Sequence, residues 1–246
     1  MASPFAPTVA LRGTHTGGAL SVMDNAVPPR WGGPPLHHHE FDETFYVLDG
    51  ELIFQVGDEL FTAGPGALAF APGGAVHTFA NLGEDPARYL LLCTPAGFEG
   101  YFARLAAQAA GADPPAWALE PTPPVTTVGG QIGERDDIAD ATPIAPADGP
   151  LTVLVGSEQS DGRLAVVESR VAAGVAAPPQ RYDDLDQLFW VLDGVLSFLL
   201  GEERMVRRAG EMVLARRGVR HTFANHGDDE ARALIICTPA GGGDGS

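Results

Sequence analysis

Short apolar runs recur along the chain at Ala19–Met23, Thr44–Leu48, Leu52–Val56, Ala67–Phe70, His77–Ala80 and Arg88–Cys93. Between them stand turn residues: Asp49-Gly50, Gly57-Asp58, Gly64-Pro65-Gly66, Pro72-Gly73-Gly74 and Glu84-Asp85-Pro86. Runs this short, separated by Gly, Pro and Asp, predict strands, and Asp49-Gly50 is a strong tight-hairpin signal. The pattern changes once. Phe98, Tyr101, Phe102, Leu105 and Ala109 recur at helical spacing before Gly111. That predicts an amphipathic helix over 98–110, laid on the outside of the preceding strands.

The pattern then repeats. Residues 36–97 align without a gap with 180–241, at a constant offset of 144. Phe45-Tyr-Val-Leu-Asp-Gly50 returns as Phe189-Trp-Val-Leu-Asp-Gly194, and His77-Thr-Phe-Ala-Asn81 returns intact as His221-Thr-Phe-Ala-Asn225. A period this long means two copies of one domain. The expected fold class is all-β: two tandem jelly-roll β-barrels with a short helical connector. Residues 1–111 form the first barrel and its helix, and residues 151–246 the second barrel. Between them, 112–150 is a Pro-, Ala- and acid-rich connector with one short helix near Ile132–Ala139. An unstructured tail is expected after Gly241.

Charge and composition narrow the function. A net charge of −17 argues against nucleic acid as a partner. The absence of lysine removes Schiff-base chemistry. No segment reaches the length of a membrane span, and no basic start precedes an apolar run in the first thirty residues, so a soluble, cytoplasmic protein with no membrane partner is expected. Cys93 and Cys237 occupy equivalent places in the two copies and are expected as free buried thiols on matching strands.

The candidate chemistry lies between Gly33 and Asn81. His37 and His39 are two apart, so on an extended strand both project to one face while His38 points away. Glu43 follows at the start of a strand, and His77 comes just after a Pro-Gly-Gly turn. Three imidazoles and a carboxylate suit one divalent transition metal, whether Fe, Mn, Ni, Co, Cu or Zn. Phe45, Phe54, Phe70 and Phe79 are candidates for lining a substrate cavity at the barrel mouth, and Asn81 reads as a turn residue. In the second copy His37, His39 and Glu43 are replaced by Arg181, Asp183 and Gln187, and only His221 remains. A guanidinium cannot ligate a cation, so one metal centre per chain is expected. Faithful repetition would turn Arg181 and Asp183 into the second barrel as a buried ion pair, with Gln187 and His221 hydrogen bonded nearby.

These residues resemble the two motifs of the cupin superfamily. His37, His39, Glu43 and Gly50 match the first motif; Gly66, Pro72, Gly74, His77 and Asn81 match the second without a gap. The wider runs Asp42–Gly50, Pro72–Asn81 and Thr94–Phe102 are similar to bacterial quercetin dioxygenase-like cupins. That resemblance implies a metal-dependent dioxygenase acting on a flavonol-like or other enolic aromatic molecule. Glu43 would be both ligand and catalytic proton acceptor, and dioxygen the co-substrate. Two other classes stay open: a non-oxidative metal-dependent cyclase, isomerase or decarboxylase of secondary metabolism, and a non-enzymatic small-molecule-binding bicupin. A homodimer is possible under each.

Overall fold

A computed structural model describes residues 7–135 and 137–239, and the tail after Gly241 lies outside the described residues. The chain divides into two compact units, one up to Pro146 and the other from Ala147. In the first unit the strands are β1 (Thr8–Leu11), β2 (Ser21–Val27), β3 (His37–His38), β4 (Asp42–Asp49), β5 (Leu52–Val56), β6 (Glu59–Ala63), β7 (Leu68–Ala71), β8 (His77–Ala80) and β9 (Ala87–Thr94). Helix α1 (Glu99–Ala110) follows, then two short strands, β10 (Thr126–Thr127) and β11 (Thr142–Ile144). One sheet has the order β1-β2-β9-β4-β7 and the other β10-β3-β8-β5-β6-β11. Phe45, Val47, Phe54, Phe79, Tyr89 and Leu91 belong to the apolar core of this unit.

Helix α1 ends where Gly111 takes a left-handed conformation (φ 64°), and the Gly111 N–H bonds back to Gln108 O at 3.1 Å. Phe102 and Leu105 pack against the core, with Phe98 just ahead of them. The helix start is tied down by Glu99, a buried carboxylate that accepts the Gly13 N–H (2.9 Å) and the Gly97 N–H (2.7 Å).

The Pro-rich stretch after the helix is more than a spacer. β10 pairs with β3, and β11 runs parallel to β6, so this segment adds a strand at each edge of one sheet. In place of the short helix expected near Ile132–Ala139 there are two single 3₁₀ turns, Ile132–Glu134 and Ile138–Asp140. Ile132, Ile138 and Ala141 pack on Ile53 and Ala80. Apolar burial against the sheet therefore organises a segment whose own sequence carries little helical periodicity.

The second unit repeats the plan with β12 (Leu151–Val155), β13 (Ala165–Val171), β14 (Asp186–Asp193), β15 (Val195–Leu200), β16 (Glu203–Arg208), β17 (Met212–Ala215), β18 (His221–Ala224) and β19 (Ala231–Thr238). Its sheets run β12-β13-β19-β14-β17 and β16-β15-β18. The buried Arg181–Asp183 pair is not found. The two side chains do meet, Nε to Oδ1 2.9 Å, but they are 60% and 76% exposed.

A register slip explains it. In the first unit His37 stands opposite His77, whereas in the second Gln180, not Arg181, stands opposite His221. A shift of one residue turns every side chain to the other face. Tyr182 consequently packs with Leu185 and Cys237, and Arg181 and Asp183 turn to solvent. A buried carboxylate beside this loop is Asp186, which accepts the Arg217 backbone N–H at 2.7 Å and its guanidinium at 3.2 Å. Burial opposes its ionisation, but the bonds from Arg217 prevail and hold its pKa below the usual carboxylate range. An exposed pair contributes little, so Asp183→Ala is expected to change unfolding free energy by no more than about 0.5 kcal/mol in a denaturant titration.

Candidate metal centre

The site forms where the two sheets of the first unit face each other. His37 on β3 and His77 on β8 are direct cross-strand partners, with ring centroids 4.5 Å apart. His39 follows β3 and stacks on Phe41 at 3.6 Å and 3°. Glu43 comes from β4 in the opposite sheet. One ligand atom from each of His37, His39, Glu43 and His77 lies within 4.8 Å of the others. His39, Glu43 and His77 are buried, while His37 is half-buried at the rim.

Backbone carbonyls orient all three rings. Nδ1 lies 2.8 Å from Pro35 O in His37, 2.8 Å from Phe41 O in His39 and 2.9 Å from Ala75 O in His77. A carbonyl can only accept, so each Nδ1 carries a proton and each Nε2 is the ring atom turned to the centre. His39 Nε2 is buried and has no hydrogen-bond partner. His77 Nε2 stands 3.1 Å from Glu43 Oε2, and His39 Nε2 stands 3.6 Å from the same oxygen. Ring nitrogens converging on one buried carboxylate leave a place for a positive charge. The donor set fits a divalent metal.

The electrostatics agree. Burial opposes ionisation of Glu43, yet its contacts with His39 and His77 bring its pKa down to about 2. The His37 pKa is lowered by burial and by the charge of His77. His77 goes the other way: burial works against its protonated form, but the hydrogen bond and charge of Glu43 outweigh it and raise the pKa. A metal must displace that His77 proton. Binding is therefore expected to release a proton below the raised His77 pKa, and affinity to weaken as pH falls through it. Metal titrations at several pH values in two buffers of different ionisation enthalpy check this, and a pH-independent affinity would refute it.

Above the centre opens a cavity of about 610 Å³. Phe45 and Phe79 line it, together with His37 and Glu43. Phe54 and Phe70 are not in the lining. Phe54 is 1% exposed and packed in the core, with Phe45 and Phe79 rings 5.3 and 5.9 Å away. Phe70 pairs with Thr44 while Glu43 pairs with Ala71, so strand alternation sends Phe70 to the other face of β7.

Several lining residues escaped the sequence reading. Trp31, Tyr89 and Leu91 contribute to the walls, as do Phe98, Tyr101 and Phe102 of the helix region. Pro123, Pro124 and Val125, just before β10, close another side. Cys93 is the cross-strand partner of Glu43, its thiol 4.0 Å from Oε1, and both cysteines are buried thiols outside any disulfide. Asn81 holds a turn: its amide donates to Asp85 O at 2.8 Å, and its oxygen accepts the Gly83 N–H at 3.1 Å. Asn225 does the same in the second unit, to Asp229 O and from Gly227 N.

The equivalent place in the second unit is satisfied without a metal. His221 donates Nδ1–H to Val219 O (2.9 Å), its Nε2 meets Gln187 Oε1 at 2.7 Å, and the Gln187 amide reaches Cys237 Sγ at 3.4 Å. The hydrogen bonds expected of His221 and Gln187 are thus present, and no second cluster of potential ligands occurs among the described residues.

The Cupin domain family matches residues 25–93 and, separately, residues 167–237. No curated protein matches the sequence. Among solved structures, oxalate decarboxylase from Bacillus subtilis at pH 4.6 aligns with a TM-score of 0.63 at 14% identity, over 96% of this chain and 72% of that one. The formate complex of Lactobacillus farciminis oxalate decarboxylase aligns with a TM-score of 0.62 at 15% identity, over 90% and 78%. At these identities the likeness is one of fold.

Proposed function

The chain belongs to the cupin family as a tandem bicupin, and on that premise we propose that its first barrel is a metal-dependent catalytic centre acting non-oxidatively on a flat, largely apolar, enolisable small molecule. The observation that carries this is the His₃Glu cluster opening into a cavity walled by aromatic and proline side chains. A dicarboxylate anion such as oxalate suits those walls poorly. Among the described residues no arginine lines the cavity, and the sequence has no lysine. A ring stacked between Phe45, Phe79 and Leu91 would bury apolar surface at roughly 25 cal/mol per Å².

The divalent ion would supply Lewis acidity, stabilising an enolate or phenolate oxygen. His37, His39 and His77 would hold it through Nε2, with Glu43 as the anionic fourth donor. At a pKa of about 2 Glu43 is a weak base. It would hold the ion as its carboxylate, with its other oxygen the acceptor for a substrate proton. The aromatic walls exclude water from that transfer.

A second reading is dioxygenation of the same substrate class, which the resemblance of Asp42–Gly50 and Pro72–Asn81 to quercetin dioxygenase-like cupins favours. Oxygen uptake measured against substrate loss decides between them, using the metal-loaded protein and a panel of enolic aromatic compounds. Turnover at an unchanged oxygen level supports the non-oxidative reading. Uptake of one O₂ per substrate replaces it with the dioxygenase.

A further inference from the structure

Tyr89 is fully buried, lines the metal-centre cavity, and its hydroxyl has no protein hydrogen-bond partner. Register fixes its direction. On β9, Cys93 pairs with Glu43, Leu91 with Phe45 and Tyr89 with Val47, so Tyr89 shares the inward face of Glu43, two strand pairs deeper. Its neighbour across β2 is Asn25, which is also fully buried, with neither amide nitrogen nor amide oxygen partnered.

A buried, unpartnered hydroxyl or amide costs about 1–3 kcal/mol, so two side by side are unlike ordinary core. The second barrel provides an internal comparison. The equivalents of Asn25 and Tyr89 there are Ser169 and Ala233, in the half that has also lost His37, His39 and Glu43. The polar pair is present where the ligand set is intact and absent where it has been lost.

We propose that Tyr89 is a specificity-determining residue of the metal-centre cavity, donating its phenol hydrogen to an oxygen substituent on the substrate's far end, with the polar Asn25 beside it on β2. This rests on the reading of the cavity as a site for flat enolic molecules, and it adds that the preferred ones carry a second oxygen away from the metal-binding oxygen. Burial and the nearby Glu43 carboxylate push the phenol pKa well up, so Tyr89 remains a donor at neutral pH. The aromatic edges of Phe45 and Phe79, with centroids 5.6 and 5.2 Å from that of Tyr89, restrict its ring.

The test removes the hydroxyl alone. Metal-loaded wild type and Tyr89→Phe are titrated calorimetrically, without oxygen, with quercetin and with 3-hydroxyflavone, which keeps the enolic group but lacks the other ring hydroxyls. Wild type is expected to bind quercetin more tightly, and Tyr89→Phe to lose about 5- to 30-fold for quercetin with little change for 3-hydroxyflavone. Equal losses for both, or none for either, overturn the role of Tyr89 while leaving the cavity reading in place. If wild type binds neither probe, the cavity reading fails and this inference with it. Thermal denaturation without ligand gives an independent measure. A melting temperature that holds or rises in Tyr89→Phe fits an unpartnered hydroxyl kept for a ligand; a fall would show an internal partner and overturn the proposal.

Discussion

His39→Ala is expected to strip the chain of its metal and to reduce turnover at least ~100-fold, the upper range seen when only a ligand's supporting contact is removed. The residue is 3% exposed, its Nδ1–H is engaged by Phe41 O and its ring stacks on Phe41, while Nε2, the atom a metal would take, makes no hydrogen bond. Activity should therefore fall much further than the stability of the metal-free protein. His221→Ala is the matched control: the same motif position in the other barrel, its Nε2 already occupied by Gln187. Elemental analysis should find unchanged metal in His221→Ala and almost none in His39→Ala. Metal retained at full stoichiometry after loss of His39 would refute the four-residue centre.

Gly33→Ala is expected to be the most damaging single-methyl change in the chain, destabilising by ~4 kcal/mol or more or preventing folding. Gly33 has φ of +80°, and a Cβ there would lie 1.7 Å from the carbonyl oxygen of Phe79. Backbone cannot swing aside as a side-chain tip can. The loop is also anchored from the other side, where the Gln131 amide donates to Gly33 O at 2.7 Å. Gly74 separates clash from conformation: its φ is +84°, yet nothing lies within 4 Å of an added Cβ. Gly74→Ala should lose only about 1–2 kcal/mol, the strain of a left-handed backbone. Equal losses in chemical denaturation would show that backbone crowding at Gly33 is unimportant. Since Gly33 leads into His37, surviving Gly33→Ala protein should also bind metal more weakly.

The four-residue cluster was legible because its spacing reports strand geometry directly. His37 and His39 share a face by alternation, and the Pro-Gly-Gly turn returns His77 to the strand beside them. The walls of the cavity were less so. Phe54 and Phe70 are aromatic strand residues like Phe45 and Phe79, and only the pairing register separates lining from core and from the opposite face. Tyr89 stands among leucines on β9 and carries no motif, so its inward hydroxyl shows only in the register with β4. The exposed Arg181–Asp183 pair marks another limit. A gapless alignment of the two halves carries no sign of a one-residue slip in strand pairing, and that slip decides which groups are buried.

The placement of β10 and β11 has a consequence for how each half keeps clear of aggregation. An open strand edge is a template for pairing with another molecule. In the first unit the chain caps the six-stranded sheet with its own later residues, Thr126–Thr127 beside β3 and Thr142–Ile144 beside β6. In the second unit β16, the counterpart of β6, has β15 as its one strand neighbour among the described residues. It carries Glu203, Arg204, Arg207 and Arg208, with Val206 51% exposed between them. Neutralising Arg204 and Arg207 to Ser should leave metal content intact and raise light scattering during refolding, whereas the same charges removed elsewhere should not. The first half covers the β3 and β6 edges with short strands of its own, the second lines the β16 edge with charge, and high salt should expose the difference.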